Sequence, residues 1–418
     1  MSKRKTKKLK ELISFQKKGI TPSYSEFGQK TILVLNQKCN RNFSINLDFA
    51  SYNDLTKKKV ASDLVLRHGD ILINSTGKGT LGRVAQYFGT AQQVTVDSHM
   101  LIMRPTEELD TTFFGYALKQ YQEILMSKGI GSSGQEELDK ISLNEISISY
   151  PSDKEEQKNI AAILTVLDTK ISINKKLNDN LEALAQALYD YWFVQFDFPD
   201  ENGKPYKSSG GKMVWNEELK REIPEGWRIG KLSDIIQANP TEKLGKGVDA
   251  PYIAMEALST TNYLTGAPAR KKYAGGMKFR NMDVLIARIT PCLENGKTAL
   301  VHDLNVNEVG FGSTEYIVIR GKHFPLPLFC ITLARSPEFR PYAISKMTGT
   351  SGRRRLDYKD VETYRLPIPP DEVLRRFESW GNPVLEKMHQ QHIQSRALEK
   401  QRDFLLPLLM NGQVQLRQ

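Results

Sequence analysis

Cysteine is scarce in this chain, three residues in 418. Cys39, Cys292 and Cys330 are odd in number, far apart and without CxxC spacing, so neither a disulfide framework nor a cysteine-based zinc site is indicated. Long apolar runs are absent too, and none approaches the roughly 18 residues of a membrane-spanning helix. The opening MSKRKTKKLKELI is basic but lacks the apolar core and cleavage site of a signal peptide, which makes the cytoplasm the expected compartment and excludes a membrane partner. Histidine is sparse as well. The one close pair, His389 and His392, stands three apart in an expected helix and reads as a solvated face, not as a metal site.

Catalytic signatures are missing in the same way. GKT at Gly296 to Thr298 looks like the tail of a phosphate-binding loop, but Pro291 stands where that loop needs its first glycine. Glu156 and Lys158 form an ExK at a helix start, where a nuclease would need it on a strand after a separated aspartate. No Asn-Pro-Pro-aromatic or Asp-Pro-Pro-aromatic tetrapeptide occurs, and no GxGxxG follows an expected strand. No catalytic residue, metal or cofactor is therefore expected in this chain.

What is present points to a polyanion. The net charge is +11, with a pI near 9.3. It is concentrated in two blocks: residues 1–150 carry 21 Lys and Arg against 15 Asp and Glu, and residues 205–370 carry 25 against 17, while 151–204 is net acidic and 371–418 nearly neutral. With 39% hydrophobic residues the chain can bury real cores, and its length calls for two or three domains.

The blocks are copies of one plan. GIGSSGQEELDKISLNEISISYPSD, from Gly129, aligns without gaps with MTGTSGRRRLDYKDVETYRLPIPPD, from Met347. A weaker match pairs HGDILINSTGKGTLGRVA, from His68, with NMDVLIARITPCLENGKTA, from Asn281, and KKLKELI, from Lys7, with GKLSDII, from Gly230. The shared order predicts a tandem duplication of about 200 residues per unit. Each half opens on strand-like segments (TILVL, DILIN, HMLIMRP; DVLIARI, TEYIVIR) and ends in a long helix. In the first helix Ile163, Leu167, Lys170, Asn174, Leu177, Leu181, Leu184 and Leu188 follow alternating steps of four and three, as in a coiled-coil seam. Val384, Met388, Gln391, Ser395, Leu398, Arg402, Leu405 and Leu409 do so in the second, where Gly381 and Pro383 predict a kink or two pieces. The expected fold is α/β (α+β): domains at 1–150 and 228–370, long helices at 151–195 and 371–418 packed as an antiparallel pair, and a Gly-, Pro-, Ser- and Lys-rich linker at 196–227. Helices of about 39 residues would span about 58 Å, enough to hold two readers of duplex DNA one helical turn apart.

Specific phrases carry a family resemblance. YPSDKEEQKNIAAILTVLDTKISINKKLNDNLEALAQALYDYWFVQFDFP, from Tyr150, and EKQRDFLLPLLMNGQVQL, from Glu399, resemble the two conserved regions of type I restriction-modification specificity subunits. ITPSYSE, from Ile20, with GDILINSTGKGTLGRVA resembles one class of target-recognition domain, and ARITPCLENGKTA with GSTEYIVIR, LARSPEFRPYAI and MTGTSGRRR another. The resemblance implies two target-recognition domains in pseudo-twofold symmetry on the helix pair. It also implies a non-catalytic, sequence-specific reader of a bipartite, asymmetric site in double-stranded DNA. Two modification subunits using S-adenosylmethionine to methylate adenine, and two ATP- and Mg2+-dependent restriction subunits, would be its partners. Ile163, Leu167, Leu177, Leu181, Leu184, Leu188, Leu398 and Leu405 are the candidate partner-binding residues.

Base readout needs Arg, Lys, Asn, Gln, Ser and Thr on exposed loops, and loops recurring at equivalent places in both halves are the candidates. In the first block these are Lys38, Asn40, Arg41, Asn74, Ser75, Thr76, Lys78, Ser98, His99, Ser132, Ser133 and Gln135. In the second they are Arg288, Thr290, Asn295, Lys297, Thr314, Glu315, Thr350, Ser351, Arg353, Arg354 and Arg355. Two other readings stay open at this point, a coiled-coil scaffold that reads no DNA and a stand-alone bipartite regulator.

Overall fold

The computed structural model describes residues 3–77, 79–89, 92–130, 136–350 and 352–414. The chain divides into two compact units, Met1–Ile171 with Arg396–Gln418, and Ser172–Ser395. In unit 1 the main strands are β1 (Arg4–Lys8), β2 (Ile13–Lys18), β3 (Thr31–Leu35), β4 (Ser51–Asp54), β5 (Ile71–Asn74), β6 (Val84–Gln86), β7 (Val94–Val96), β8 (Met100–Pro105) and β9 (Ser147–Pro151). Unit 2 repeats them as β10 (Arg228–Lys231), β11 (Ile236–Ala238), β12 (Asp249–Ile253), β13 (Ala269–Lys272), β14 (Val284–Ala287), β15 (Thr298–Leu300), β16 (Gly310–Gly312), β17 (Tyr316–Gly321) and β18 (Arg365–Ile368).

Each strand of unit 1 pairs as the strand nine numbers later pairs in unit 2. The order β2-β8-β5-β6 becomes β11-β17-β14-β15, all antiparallel; β7-β3-β4 becomes β16-β12-β13, with β3 and β7, and β12 and β16, running parallel; β1-β9 becomes β10-β18. Register is kept as well, since Leu101 faces Ile73 as Ile317 faces Ile286. The units differ at one edge: Tyr24–Ser25 extends the second sheet beside β4, whereas Lys278–Phe279 extends its counterpart beside β16.

The near-continuous apolar strands follow from a sheet covered on both faces, where alternate side chains enter two different cores. On β5, Ile71 and Ile73 join the helix-side core and Leu72 joins the core under the second sheet. On β14, Val284 and Ile286 do the first and Leu285 and Ala287 the second. Helices α1 (Thr111–Gln120), capped by the Asp110 carboxylate, and α3 (Pro327–Arg335) cover the first face. The sheet-and-helix architecture expected from the sequence is thus present in both units.

The two long helices are α2 (Lys154–Tyr189) and α4 (Asp371–Met410). In unit 1, Ile160 and Leu164 share a core with Leu406 and Leu409, and Arg402 donates to Asp168 (2.7 Å). In unit 2, the buried Asn174 donates to Gln394 (2.8 Å) and Ser395 (3.2 Å), and Asn178 to the Met388 carbonyl (3.2 Å), so partners fall in numbering as α2 rises: the pairing is antiparallel. Polar seam residues are therefore partnered across the pair, which sets register.

Three expectations need correction. The seam on α2 runs through Ile160, Leu164, Asn174, Asn178, Leu181 and Ala185; Lys170, Leu177 and Leu184 face solvent. Apolar residues occupy two phases of this helix, and step counting alone took the wrong one at three of its eight positions. Helix α4 is a single helix through Gly381 and Pro383. The glycine is there for packing, because a Cβ at 381 would lie 2.3 Å from the Leu328 Cδ2 atom. Finally, residues 196–227 are part of the unit 2 fold: Phe196, Phe198, Ile223 and Trp227 are buried in its core, and Met213–Asn216 pairs with Arg221–Pro224. Four bulky apolar side chains outweigh the Gly-, Pro- and Ser-rich composition.

Candidate nucleic-acid interface

In each unit three segments meet at the ends of two central strands. They are the loop after β5 or β14, the turn before β8 or β17, and a hairpin leading to the short helix Lys140–Asn144 or Tyr358–Glu362. In unit 1 the Ser75 amide donates to the His99 carbonyl (2.9 Å), and the Leu138 amide donates to the Ser75 carbonyl (2.8 Å). In unit 2 the Arg288 amide donates to the Glu315 carbonyl (3.0 Å), and the Leu356 amide to the Arg288 carbonyl (2.8 Å). Thr76 bridges Glu137 as Ile289 bridges Arg355. The same backbone bonds thus assemble both clusters whatever side chains they carry.

Those side chains differ sharply. Unit 1 presents exposed His99, whose Nδ1 meets the Thr76 hydroxyl at 2.8 Å, beside half-buried Ser98. The neighbouring Asp97 carboxyl is pushed up by burial and accepts the His99 amide. Unit 2 presents charge. Arg355 grips Glu315 with Nε and Nη2 (2.8 to 3.0 Å), which holds that carboxyl below its usual range, and Arg354 pairs with Glu294. Arg353 is exposed and has no ion-pair partner among the described residues. Asn295, Thr314 and Thr350 are exposed as well.

Each cluster also leaves buried polar atoms without a hydrogen-bond partner among the described residues: Ser75 Oγ and Asn40 Oδ1 in unit 1, Arg288 Nε and Thr290 Oγ1 in unit 2. Buried orphans are rare in folded chains and call for a partner.

Several candidates turn out to serve the scaffold. Asn40 is fully buried and donates to the Asn74 side chain (3.2 Å) and to the Leu72 and Arg83 carbonyls (3.4 and 2.8 Å); Asn74 donates to the Gln37 carbonyl (3.0 Å). These bonds lash the exposed Lys38 and Arg41 to the end of β5. Arg41 lies over the Phe49 ring at 4.8 Å, on a hairpin whose Asn42 and Phe43 adopt positive φ. Lys297 is half-buried and donates to the Met255 carbonyl (2.9 Å), so it ties two loops together. Lys78, Ser132, Ser133, Gln135 and Ser351 lie outside the described residues.

The sequence reading missed Glu294 and Arg340. Arg340 donates to the Glu294 carbonyl (2.6 Å) and closes over Gly296, whose φ of +76° makes the Glu294–Lys297 turn. The role of this turn in holding Arg354 was not visible in the sequence, because Arg354 lies 60 residues from Glu294.

Of the candidate partner-binding residues, Leu177 and Leu184 are exposed, at 42% and 50%. Ile163 and Leu405 pack against the unit 1 core, and Leu181 and Leu188 against the unit 2 core, while Leu167 and Leu398 are half-buried. Among the described residues no helix is long and apolar enough to cross a membrane.

Comparison with known proteins meets this geometry. A family model described as the type I restriction modification DNA specificity domain matches residues 1–183. The type I restriction enzyme MjaIX specificity subunit of Methanocaldococcus jannaschii is 28% identical over 306 residues, 69% of this chain and 65% of that protein, just under two thirds of its length. The HindI specificity subunit of Haemophilus influenzae is 22% identical over 84% of this chain and 87% of its own. The crystal structure of an S subunit from M. genitalium shares the fold, with a TM-score of 0.54 at 17% identity, covering 98% of this chain and 96% of that one. With the duplicated units, their repeated loop clusters and the helix pair already in view, the chain is similar to type I restriction-modification DNA specificity proteins, by the family model over residues 1–183 and by relatives and fold over most of its length.

Proposed function

We propose that this chain is the non-catalytic DNA-reading subunit of a type I restriction-modification complex, each unit specifying one half of a bipartite, asymmetric duplex site. One observation carries the reading: a loop cluster built from identical backbone bonds in both units carries unrelated side chains. A structural cluster would keep its residues along with its bonds. A reader must keep the bonds and vary the residues, because base identity is read by side-chain donors and acceptors. The relatives named above are themselves specificity subunits of type I restriction enzymes, which supports the same assignment. Methylation would then come from two modification subunits bringing S-adenosylmethionine to adenine in each half-site, and cleavage from two ATP- and Mg2+-dependent restriction subunits. The outward-facing Leu177 and Leu184 of α2 are docking candidates for such partners, since apolar side chains there are not used by the helix pair.

Methylome sequencing of a host carrying this chain with its modification partner tests the proposal. A single asymmetric motif with an unspecified gap is expected, and exchange of unit 2 for that of a relative should change one half-site only. Tight duplex binding with no methylated motif in the presence of the partner would favour the stand-alone regulator.

A further inference from the structure

Unit 2 contains one cluster that the reading of DNA does not use. His302 follows β15 and is held rigidly: the preceding Val301 is fully buried and its amide donates to the Asp283 carbonyl (2.9 Å). The His302 ring is buried, 6% exposed, yet neither ring nitrogen has a hydrogen-bond partner among the described residues. Burying such a group unbonded is costly unless something takes the lone pair. Glu386 and His389 stand three apart on α4, hence on one face, and reach the same point. Donor atoms of His302, Glu386 and His389 all lie within 4.8 Å of one another, with His302 Nε2 3.6 Å from Glu386 Oε1. Donors around a single zinc-sized ion, each about 2.1 Å from it, sit about 3.3 Å apart, so a small side-chain adjustment closes the set. Asp303 bonds His389 Nε2 at 2.7 Å, the carboxylate-behind-histidine arrangement that orients metal-ligating imidazoles.

We propose that His302, Glu386 and His389 bind a divalent transition-metal ion that clasps the β15 loop to α4. Two imidazoles and a carboxylate suit zinc, cobalt or nickel; magnesium and calcium prefer all-oxygen sets. The charges balance, since the carboxylates of Glu386 and Asp303 together match a dication. His389 is therefore not the solvated helix face that its spacing from His392 suggests, because its ring lies 4.1 Å from that of His302, a residue 87 positions away. Among the described residues the clasp is confined to unit 2. The Tyr87 amide bonds Asp70 as Val301 bonds Asp283, which places Phe88 where unit 2 has His302, and phenylalanine cannot ligate.

The test uses the full-length chain without a histidine tag. Calorimetric titration with Zn2+ should give one ion per chain. Co2+ should give the visible bands of a nitrogen and oxygen set with no thiolate charge-transfer band, and Zn2+ should raise the melting temperature until EDTA is added. Glu386→Gln and His389→Ala should each weaken binding at least tenfold. His302→Phe, which borrows the unit 1 residue and keeps the site packed, should abolish the one-to-one step, whereas His392→Ala should leave it intact. Unchanged binding in His302→Phe, loss of binding in His392→Ala, or no binding by the natural chain would each overturn the proposal.

Discussion

Units 1 and 2 share strand order, register and the backbone bonds of their loop clusters, yet hold those loops by different means. Unit 1 pins its first loop with neutral groups, the buried Asn40 and Asn74. Unit 2 pins its loops with ions: Arg355 on Glu315, Arg354 on Glu294, and Arg340 on the turn between them. Below the loops both units keep the same buried fork, Arg104 on Asp70 (2.7 and 2.8 Å) and Arg320 on Asp283 (2.6 and 2.7 Å), to which unit 2 adds Glu242. The common fork closes the ends of these strands away from the loops, and what differs lies at the loop ends.

The sharpest way to break the common part is to remove the fork. Arg104→Met and Arg320→Met leave buried aspartates without a counter-ion, and each should destabilise its own unit by about 3 to 5 kcal/mol. The Arg320 variant should be the more severe, because Glu242 is also left with one partner fewer. Urea unfolding followed by hydrogen exchange on peptides of each unit measures this. A loss below about 1 kcal/mol would show that the fork is not what holds the scaffold.

A second contrast is pH. In unit 2, burial pushes Glu378 up to about 8 and Glu182 up to about 7, although Glu378 accepts the Leu328 and Phe329 amides at the start of α3. The folded state then holds protons that the unfolded chain has released above its ordinary carboxylate range, so unit 2 should lose stability as pH rises from about 5 to 8. In unit 1 the half-buried Glu108 and the exposed Glu145 are held down to about 2 by lysine pairs, so their contribution is present at neutral pH and fades only as pH falls below about 4.5. Glu378→Gln keeps one of the two amide bonds and removes the titration. It should flatten the unit 2 slope by on the order of 3 kcal/mol across that window. An unchanged slope would mean that Glu378 is not the titrating group.

The smallest expected effect separates the three arginines of the unit 2 hairpin. Arg353 is free of ion pairs among the described residues, so Arg353→Ala should weaken duplex binding by about 1 to 3 kcal/mol with relaxed preference at one base if it reads guanine, or lower the salt slope by about one if it meets phosphate. Arg355 must first leave Glu315, so Arg355→Ala should cost less binding than Arg353→Ala. The reverse order, read by fluorescence anisotropy over a salt series, would show that the Arg355–Glu315 pair opens on DNA.

By itself the sequence determined the duplication, the strand-rich opening of each half, the two long helices and the basic character of both blocks. All of these are periodic or compositional, so neighbouring residues carry the signal. The loops that converge in each unit were also legible, because a tandem repeat marks equivalent places. Only the tertiary structure decided which of two apolar phases of α2 meets α4, since Ile163, Leu177 and Leu184 fit a seam as well in sequence as Leu164 and Ala185 do. It alone turned Asn40, Asn74 and Lys297 from candidate readers into internal ties, paired Arg354 and Arg355 with distant glutamates, and set His302 beside His389. In each case the deciding partner lies tens to hundreds of residues away, and burial, which sets the worth of a polar side chain, exists only once the chain has folded.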